Sequence, residues 1–230
     1  AAVLRRFPPA GPVFDIGGGS GQVAAAIEEA GFSAVLVEPS LDGALCGRRR
    51  GLDPVICSTL EDAGLPSGSV AACGLFDVLE HIEQERTALA NMYATLAPGG
   101  RLVILVPAFM ALFCRIDENL EHFRRYTVPE LEEKMREAGF VIRTSFYFNP
   151  VGAVGWFVAG RILRAKQINP GHLWIQKLLM PVSYVADALR LPFGLSAVCV
   201  GEKPATVAVN PAQPEKATPK SVSLRPAASA

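Results

Sequence analysis

Short apolar runs alternate along the chain with amphipathic stretches of helical period. The apolar runs predict strands at Val13–Ile16, Ala34–Val37, Pro54–Cys57, Val70–Phe76, Arg101–Val106, Phe140–Phe148 and Ser196–Glu202. Between them, apolar residues spaced three and four apart predict helices, most clearly over Gln22–Ala30 and Glu83–Leu96. Strands separated by helices favour parallel pairing, because a parallel neighbour needs a crossover connection. The pattern therefore predicts an α/β fold with a mostly parallel sheet and helices on both faces.

The C-terminal part of the chain departs from this alternation. Thr127 and Glu130 have the spacing of a capping box at the start of a helix that ends near Ala138. Residues 149–191 predict two helices split at residues 169–171, which form a helical insertion between the last two strands. After residue 203 large apolar residues almost disappear. We therefore expect one domain over residues 1–203 and a disordered tail over 204–230.

Composition narrows the range of partners and compartments. The chain has 230 residues with 22 basic and 22 acidic side chains, so no net charge favours nucleic acid, and none is expected as a partner. Five dispersed cysteines without a CxxC pair indicate reduced thiols, and no signal peptide is visible, so a cytoplasmic location is expected. The longest nearly apolar run, Val151–Gly160, is too short to span a bilayer. The three histidines lie far apart in sequence, so no metal site is expected.

A glycine-rich turn follows the first predicted strand. Asp15 is followed by Gly17, Gly19 and Gly21, and such glycines let a backbone turn sharply or approach a ligand closely. Glu38 ends the second strand, where a carboxylate can accept two hydrogen bonds from the diol of a ribose. Taken alone, the turn also fits a dinucleotide fingerprint, which leaves an NAD-dependent oxidoreductase as an alternative.

After the glycine turn and Glu38, three further segments follow in a fixed order: Ser58–Glu61, Phe76–His81 (FDVLEH) and Leu96–Leu102 (LAPGGRL). With the glycine turn they resemble class I S-adenosylmethionine (SAM)-dependent methyltransferases, in particular the small-molecule branch similar to UbiE. The resemblance implies a Rossmann-like sheet of seven strands, with the last strand antiparallel between the fifth and sixth. The dinucleotide fingerprint explains neither FDVLEH nor the Pro-Gly-Gly turn, which disfavours the oxidoreductase.

The resemblance also implies which residues bind the cofactor SAM. Glu38 would hold the ribose, the segment at Thr59 would contact adenine, and the lip at Phe76 would hold the methionine end. The full set that it implies is Asp15, Gly17, Gly19, Gly21, Glu38, Pro39, Thr59, Leu60, Phe76 and Asp77. Many relatives carry an acid where this chain has Ser58 or Thr59, so the adenine contact is expected mainly from backbone.

Two segments are candidates for the chemistry of methyl transfer. His81 follows the lip and has a pKa suited to a general base, although Glu80 and His81 could instead cap the next helix. The segment 117–127 resembles a D…GHxRRYT motif of some bacterial methyltransferases, with Glu121 in place of the usual glycine. Its candidate catalytic residues are His122, Arg125 and Tyr126. Together with Arg124 they could hold an anionic acceptor, or the two arginines could form salt bridges in a surface loop.

The apolar insertion over residues 149–191 bears on the acceptor. As a lid it would favour a hydrophobic or lipid-linked molecule, and it could also contact a membrane surface, form a homodimer interface or belong to the core. The interpretation favoured by the sequence is a SAM-dependent methyltransferase that acts on O, N or C of a small-molecule or lipid-linked acceptor. The alternative is a binding module that keeps the fold and has lost the activity.

Overall fold

A sheet of seven strands runs through the centre of the computed structural model, which describes residues 2–163 and 180–205. The strands are β1 (Val13–Ile16), β2 (Ala34–Val37), β3 (Val55–Ile56), β4 (Val70–Phe76), β5 (Leu96–Pro107), β6 (Val141–Phe148) and β7 (Ser196–Glu202). Their order is β3-β2-β1-β4-β5-β7-β6. Strands β1 to β5 pair in parallel, and β7 lies antiparallel between β5 and β6. The predicted Rossmann-like fold and the place of its last strand are confirmed.

Helices cover the sheet. They are α1 (Ala2–Arg6), α2 (Gln22–Glu29), α3 (Leu41–Arg49), α4 (Glu85–Thr95), α5 (Arg115–Asn119), α6 (Val128–Glu137), α7 (Pro150–Phe157) and α8 (Met180–Ala188). Short 3-10 turns lie at Leu79–His81 and Met110–Leu112, and a π turn continues α7 over Val158–Ile162. The predicted capping box opens α6, where Thr127 N–H donates to Glu130 Oε2 at 2.7 Å and Glu130 N–H donates back to Thr127 Oγ1 at 3.4 Å.

Apolar side chains form a separate cluster on each side of the sheet. Leu89, Met92 and Leu96 belong to the larger cluster, together with side chains of β4 and β5. Leu36 of β2 and Leu52 belong to the smaller one. All four residues of β2 are buried, as expected for a strand covered on both faces. Each fully buried side chain of this size contributes about 1.5–3 kcal/mol by leaving water.

The boundary between α4 and β5 differs from the prediction. The helix ends at Thr95, and β5 begins at Leu96, ahead of the Pro-Gly-Gly turn that was expected to separate the two elements. Leu96 pairs with Val70, and the register then shifts so that Arg101 pairs with Ala72. The turn is therefore a bulge inside β5, because burial of Leu96 in the core draws the chain into the sheet before the turn.

The helical insertion is only partly described. Helix α7, the π turn and α8 confirm helical structure in residues 150–162 and 180–188. The predicted break at residues 169–171 lies outside the described residues, and so does the tail from residue 206 onward. Among the helices that the structure describes, none combines the length and the apolar character needed to cross a membrane.

Lys203 links the end of the sheet to the end of a helix. Its backbone N–H donates to Gly100 O at 2.9 Å. Its ammonium group donates to Tyr93 O at 2.8 Å and Leu96 O at 2.7 Å, which are carbonyls at the C-terminus of α4. A cation there satisfies carbonyls that have no partner within the helix and complements the helix dipole.

We expect Lys203→Met to lower the free energy of unfolding by about 1–2 kcal/mol, because those carbonyls lose their donor while the apolar stem of the side chain is kept. Urea denaturation measures the effect. Arg86→Met is the control, since Arg86 is largely exposed and pairs with Glu137 at the surface, and it should change stability by less than about 0.5 kcal/mol. Equal effects of the two substitutions would contradict this role of Lys203.

Candidate cofactor and acceptor site

The glycine turn after β1 is anchored by a buried acid. Asp15 is fully buried, and its Oδ2 accepts the Ala24 N–H at 3.0 Å, which ties the strand to the first turn of α2. Its Oδ1 has no hydrogen-bond partner in the described structure. Burial raises the pKa of Asp15 to about 6, opposed by the Ala24 N–H and reinforced by the charge of Glu38. A buried carboxylate oxygen without a hydrogen-bond partner is unusual, which makes this turn a candidate ligand-binding site.

Glu38 joins the end of β2 to the same turn. Its Oε2 accepts the Gly19 N–H and its Oε1 accepts the Ser40 N–H, both at 2.8 Å. Ser40 in turn caps α3 by accepting the Gly43 N–H at 3.4 Å. Because β1 and β2 are parallel neighbours, their carboxyl ends meet at one edge of the sheet. The structure thus brings together the glycine turn and the acid that the sequence placed at one site.

A cavity of about 430 Å³ opens beside this edge. Four predicted cofactor residues line it, namely Gly17, Pro39, Thr59 and Leu60. Further lining comes from Val78 and Ile82, which flank the 3-10 turn, and from Gln84, Thr87, Ala88 and Met92 at the start of and along α4. The sequence analysis missed these residues, although Val78 and Ile82 lie four apart next to the lip. The volume and the mostly apolar lining are typical of small-molecule pockets.

The two lip residues lie apart from the cavity lining. Phe76 is half-buried, and its ring packs against the smaller core cluster and lies above Gly74, where a β-carbon would come within 2.1 Å of Phe76 Cε2. Asp77 is exposed and has a left-handed backbone with φ of 54°. Asp77 therefore lies on a sharp turn at the carboxyl end of β4, while Phe76 contributes to the core.

A buried acid organises the second candidate segment. Asp117 Oδ1 accepts Arg125 Nε–H at 2.7 Å and lies 3.0 Å from His122 Nδ1, and its Oδ2 accepts the Cys114 N–H at 3.0 Å. Burial alone would raise the pKa of Asp117, but the hydrogen bonds from His122 and Arg125 outweigh it and lower that pKa. The Arg125 guanidinium also donates to Ala108 O at 3.2 Å, and its carbon lies 4.7 Å from the centre of the Trp156 ring of α7.

Glu85 is the partner of three further groups. It accepts Tyr126 Oη–H at 2.7 Å and Lys134 Nζ–H at 2.6 Å, and Arg124 lies 3.2 Å away. These contacts outweigh the effect of burial and lower the pKa of Glu85. Only 1% of Tyr126 is exposed. Both arginines and the tyrosine are thus engaged with acids of the protein, as in the salt-bridge interpretation, but Arg125 and Tyr126 lie in the interior instead of a surface loop.

The rings of the two candidate histidines lie next to each other. The centres of the His81 and His122 rings lie 4.7 Å apart with the rings at 83°. His81 is exposed, and partial burial and the neighbouring His122 lower its pKa. Between the lip and His81 lies Glu80, which is fully buried with neither carboxylate oxygen bonded, and burial raises its pKa to about 8. Neither side chain caps α4, whose N-cap residue Gln84 makes no side-chain cap bond either.

Comparison with known proteins places the sequence in a family. A family model described as a methyltransferase domain matches residues 1–145, which is well over half of the chain. The chain belongs to this family. No curated protein matches it in sequence. Membership confirms the resemblance to class I SAM-dependent methyltransferases, an activity as a methyltransferase, and SAM as the cofactor. The oxidoreductase alternative is thereby excluded.

Solved methyltransferases share the fold at low sequence identity. A SAM-dependent methyltransferase from Thermotoga maritima is 21% identical with a TM-score of 0.57, and the match covers 88% of this chain and 86% of that one. One from Archaeoglobus fulgidus is 18% identical with a TM-score of 0.58, covering 88% and 92%. Geranyl diphosphate C-methyltransferase from Streptomyces coelicolor A3(2) is 16% identical with a TM-score of 0.61, covering 88% and 77%. At these identities the likeness establishes the fold of this methyltransferase.

We expect Tyr126→Phe to lower the free energy of unfolding by about 1–2 kcal/mol, because Glu85 loses a buried donor while Lys134 and Arg124 remain. Thermal and urea unfolding measure the change. Tyr93→Phe is the control, since the Tyr93 ring packs edge-on against Phe140 and its hydroxyl takes part in none of the described hydrogen bonds. A loss of stability no larger than that of the control would show that the Tyr126 hydroxyl does not anchor this segment.

Proposed function

We propose that this methyltransferase binds SAM along the carboxyl edge of the sheet and methylates a small-molecule acceptor presented at the rim formed by His81 and His122. One observation carries the proposal. Val78 and Ile82 line the cavity, and His81 lies between them in the sequence. The His81 ring is in contact with the ring of His122. Cofactor pocket and histidine rim are therefore adjacent.

The residues at the pocket suit the groups of SAM. Glu38 already accepts two backbone N–H groups, and its oxygens retain lone pairs for the ribose hydroxyls. No atom lies within 4 Å of the position of a β-carbon on Gly19, which leaves room for the amino-acid part. The exposed carboxylate of Asp77 is suited to the ammonium group of the methionine end, and Pro39, Thr59 and Leu60 to the adenine. Gly17 and Gly21 shape the turn, and the buried Asp15 fixes it. We assign Phe76 to the core that supports the lip.

The acceptor side favours a molecule that does not depend on arginine for its binding. Arg125 is paired with Asp117 and Arg124 lies against Glu85, so neither offers a free guanidinium. Exposed apolar side chains of α7 and the π turn, among them Val154, Phe157 and Ile162, offer a wall for a hydrophobic or lipid-linked molecule. Geranyl diphosphate C-methyltransferase, which has the same fold, was solved with Mg²⁺ and geranyl diphosphate, a molecule that joins an apolar chain to a charged diphosphate. Membrane contact, a homodimer through this face and a cytoplasmic location remain predictions.

Methyl transfer requires no covalent bond between the protein and either reactant. The acceptor atom attacks the methyl carbon in line with the departing sulfur, so the protein must hold the two reactants in contact and aligned. His81 and His122 are the candidates that touch the acceptor. We assign Arg125 and Tyr126 to positioning, because they hold the segment that carries His122 through Asp117 and Glu85.

We expect Gly19→Ala to weaken SAM binding by about tenfold or more, because the added methyl enters the open space proposed for the cofactor. Calorimetric titration with SAM and S-adenosylhomocysteine measures this. The matched control is Gly68→Ala, since Gly68 has a similar left-handed backbone (φ 71° against 55°), is equally open, and precedes β4 at the opposite edge of the sheet. Both variants should lose similar stability, about 1 kcal/mol. Equal SAM affinity in the two variants would refute the proposed position of the cofactor.

We expect His81→Ala and His122→Ala to lower kcat by about 10²-fold or more while the affinity for SAM stays within a few-fold of the wild type, because the rim faces the acceptor and lies outside the cavity lining. Release of S-adenosylhomocysteine in a screen of apolar hydroxyl, amine and thiol compounds provides the assay. SAM binding without product from any of these compounds would exclude the proposed acceptor classes. Full activity of both variants would remove the histidines from the site.

A further inference from the structure

We propose that Glu80, His81 and His122 form a binding site for one divalent transition-metal ion, which faces the acceptor. Metal binding itself depends only on these side chains. The catalytic use of the metal rests on the function proposed above.

The three side chains meet although the sequence separates them. Each offers one ligand atom, and these atoms lie within 4.8 Å of one another. Metal–ligand bonds of about 2.0–2.2 Å place the ligand atoms of one ion roughly 3–4 Å apart. His81, the exposed member of the three, would have to turn toward the other two to close the site. The backbone holds the two halves together, because Phe123 N–H donates to Glu80 O at 2.9 Å.

The buried carboxylate points to a missing cation. Glu80 is fully buried, and neither of its carboxylate oxygens has a hydrogen-bond partner. A buried carboxylate without a partner is unfavourable, and a bound cation removes that cost. The charges around Glu80 also favour a cation. The carboxylates of Asp77 and Asp117 and the guanidinium of Arg125 act on it. With Glu80 ionised, the four groups sum to two negative charges.

The tautomer of His122 leaves a nitrogen free for a metal. Its Nδ1 lies 3.0 Å from Asp117 Oδ1, and the same carboxylate accepts the Arg125 Nε–H and the Cys114 N–H, so it faces His122 as a hydrogen-bond acceptor. Nδ1 is therefore the ring nitrogen that donates to Asp117, which leaves Nε2 as the ring nitrogen that can bind a metal. A carboxylate behind a metal-binding imidazole is a common arrangement, because it fixes the ring and strengthens the ligand. Asp117 is itself fixed by Arg125 and the Cys114 N–H.

The ligand set indicates the class of metal and its use. Two imidazoles and one carboxylate suit Zn²⁺, Fe²⁺, Co²⁺ or Ni²⁺ better than Mg²⁺, which prefers oxygen. Three protein ligands leave a position for an acceptor oxygen, whose pKa the ion would lower. The hydroxyl proton would leave to water, the oxygen would form its bond to the methyl carbon, and the bond from that carbon to sulfur would break, giving S-adenosylhomocysteine.

Metal binding is tested on the purified protein after dialysis against a chelator. We expect one equivalent of Co²⁺ to bind with a visible ligand-field spectrum, and Zn²⁺ to displace it. His122→Ala, His81→Ala and Glu80→Gln should each weaken binding by about tenfold or more. Glu83→Gln, which removes an exposed charge two residues from His81, and Cys57→Ser, which removes an exposed thiol, should bind as the wild type does. Unchanged binding in Glu80→Gln, or loss of binding in Cys57→Ser, would overturn the proposal.

Thermal unfolding shows whether a variant loses metal binding only because it fails to fold. Without metal, Glu80→Gln should melt at or above the temperature of the wild type, since it removes a buried acid that has no partner. With Zn²⁺, the wild type should gain in melting temperature and Glu80→Gln should not. Absence of metal binding to the wild type refutes this inference alone. If methylation then still depends on His81 and His122 in the presence of chelator, the proposed function stands without the metal.

Discussion

Parallel pairing of β1 with two neighbours, β2 on one side and β4 on the other, is the constraint on which the site depends. Chain order reverses at this point, so the connections after β1 and β4 leave the sheet in opposite directions and a crevice remains between them. Glu38, Gly17 and Asp77 follow three adjacent parallel strands and so reach the same edge. The glycine turn is needed because the helix α2 must begin immediately, within a space already limited by Leu36 and Leu52, whose side chains a β-carbon on Gly21 would meet.

The second half of the site is held in place by buried charge. Asp117 and Glu85 each collect several donors from one segment, so residues 122–126 are fixed although they contain no regular secondary structure other than an isolated bridge between Tyr126 and Ala108. Breaking one member of such a network leaves an unpaired buried charge, which costs more than the pair contributes. The arginines that look like anion receptors in the sequence are therefore better understood as the means by which the fold positions His122.

The residues of the proposed cofactor half follow from local signals in the sequence, whereas the arrangement of the proposed acceptor half depends on tertiary packing. Glycines after β1, the acid after β2 and the FDVLEH lip are local signals, and parallel strands bring local signals at strand ends together. His81 and His122 are separated by α4 and β5, and only tertiary packing makes them neighbours. The orientation of Tyr126 is likewise set by Glu85, on a helix that the local sequence does not specify as its partner. The inclusion of the Pro-Gly-Gly turn within β5 likewise depends on tertiary packing, because Leu96, which precedes the turn, is buried in the core.

Two buried acids of the candidate site have carboxylate oxygens without a hydrogen-bond partner in the described structure. Asp15 has one oxygen unbonded and Glu80 has two. A chain selected for stability alone would gain by replacing either with an amide or an apolar side chain, whereas partly satisfied polar groups persist where a ligand completes them. Asp15 lies beside the glycine turn, so its unbonded oxygen is on the proposed cofactor side. Glu80 lies beside His81, so its two unbonded oxygens are on the proposed acceptor side. An incompletely bonded buried carboxylate thus lies at each of the two places where a ligand is proposed to bind, while the paired acids Asp117 and Glu85 hold the neighbouring segment through hydrogen bonds.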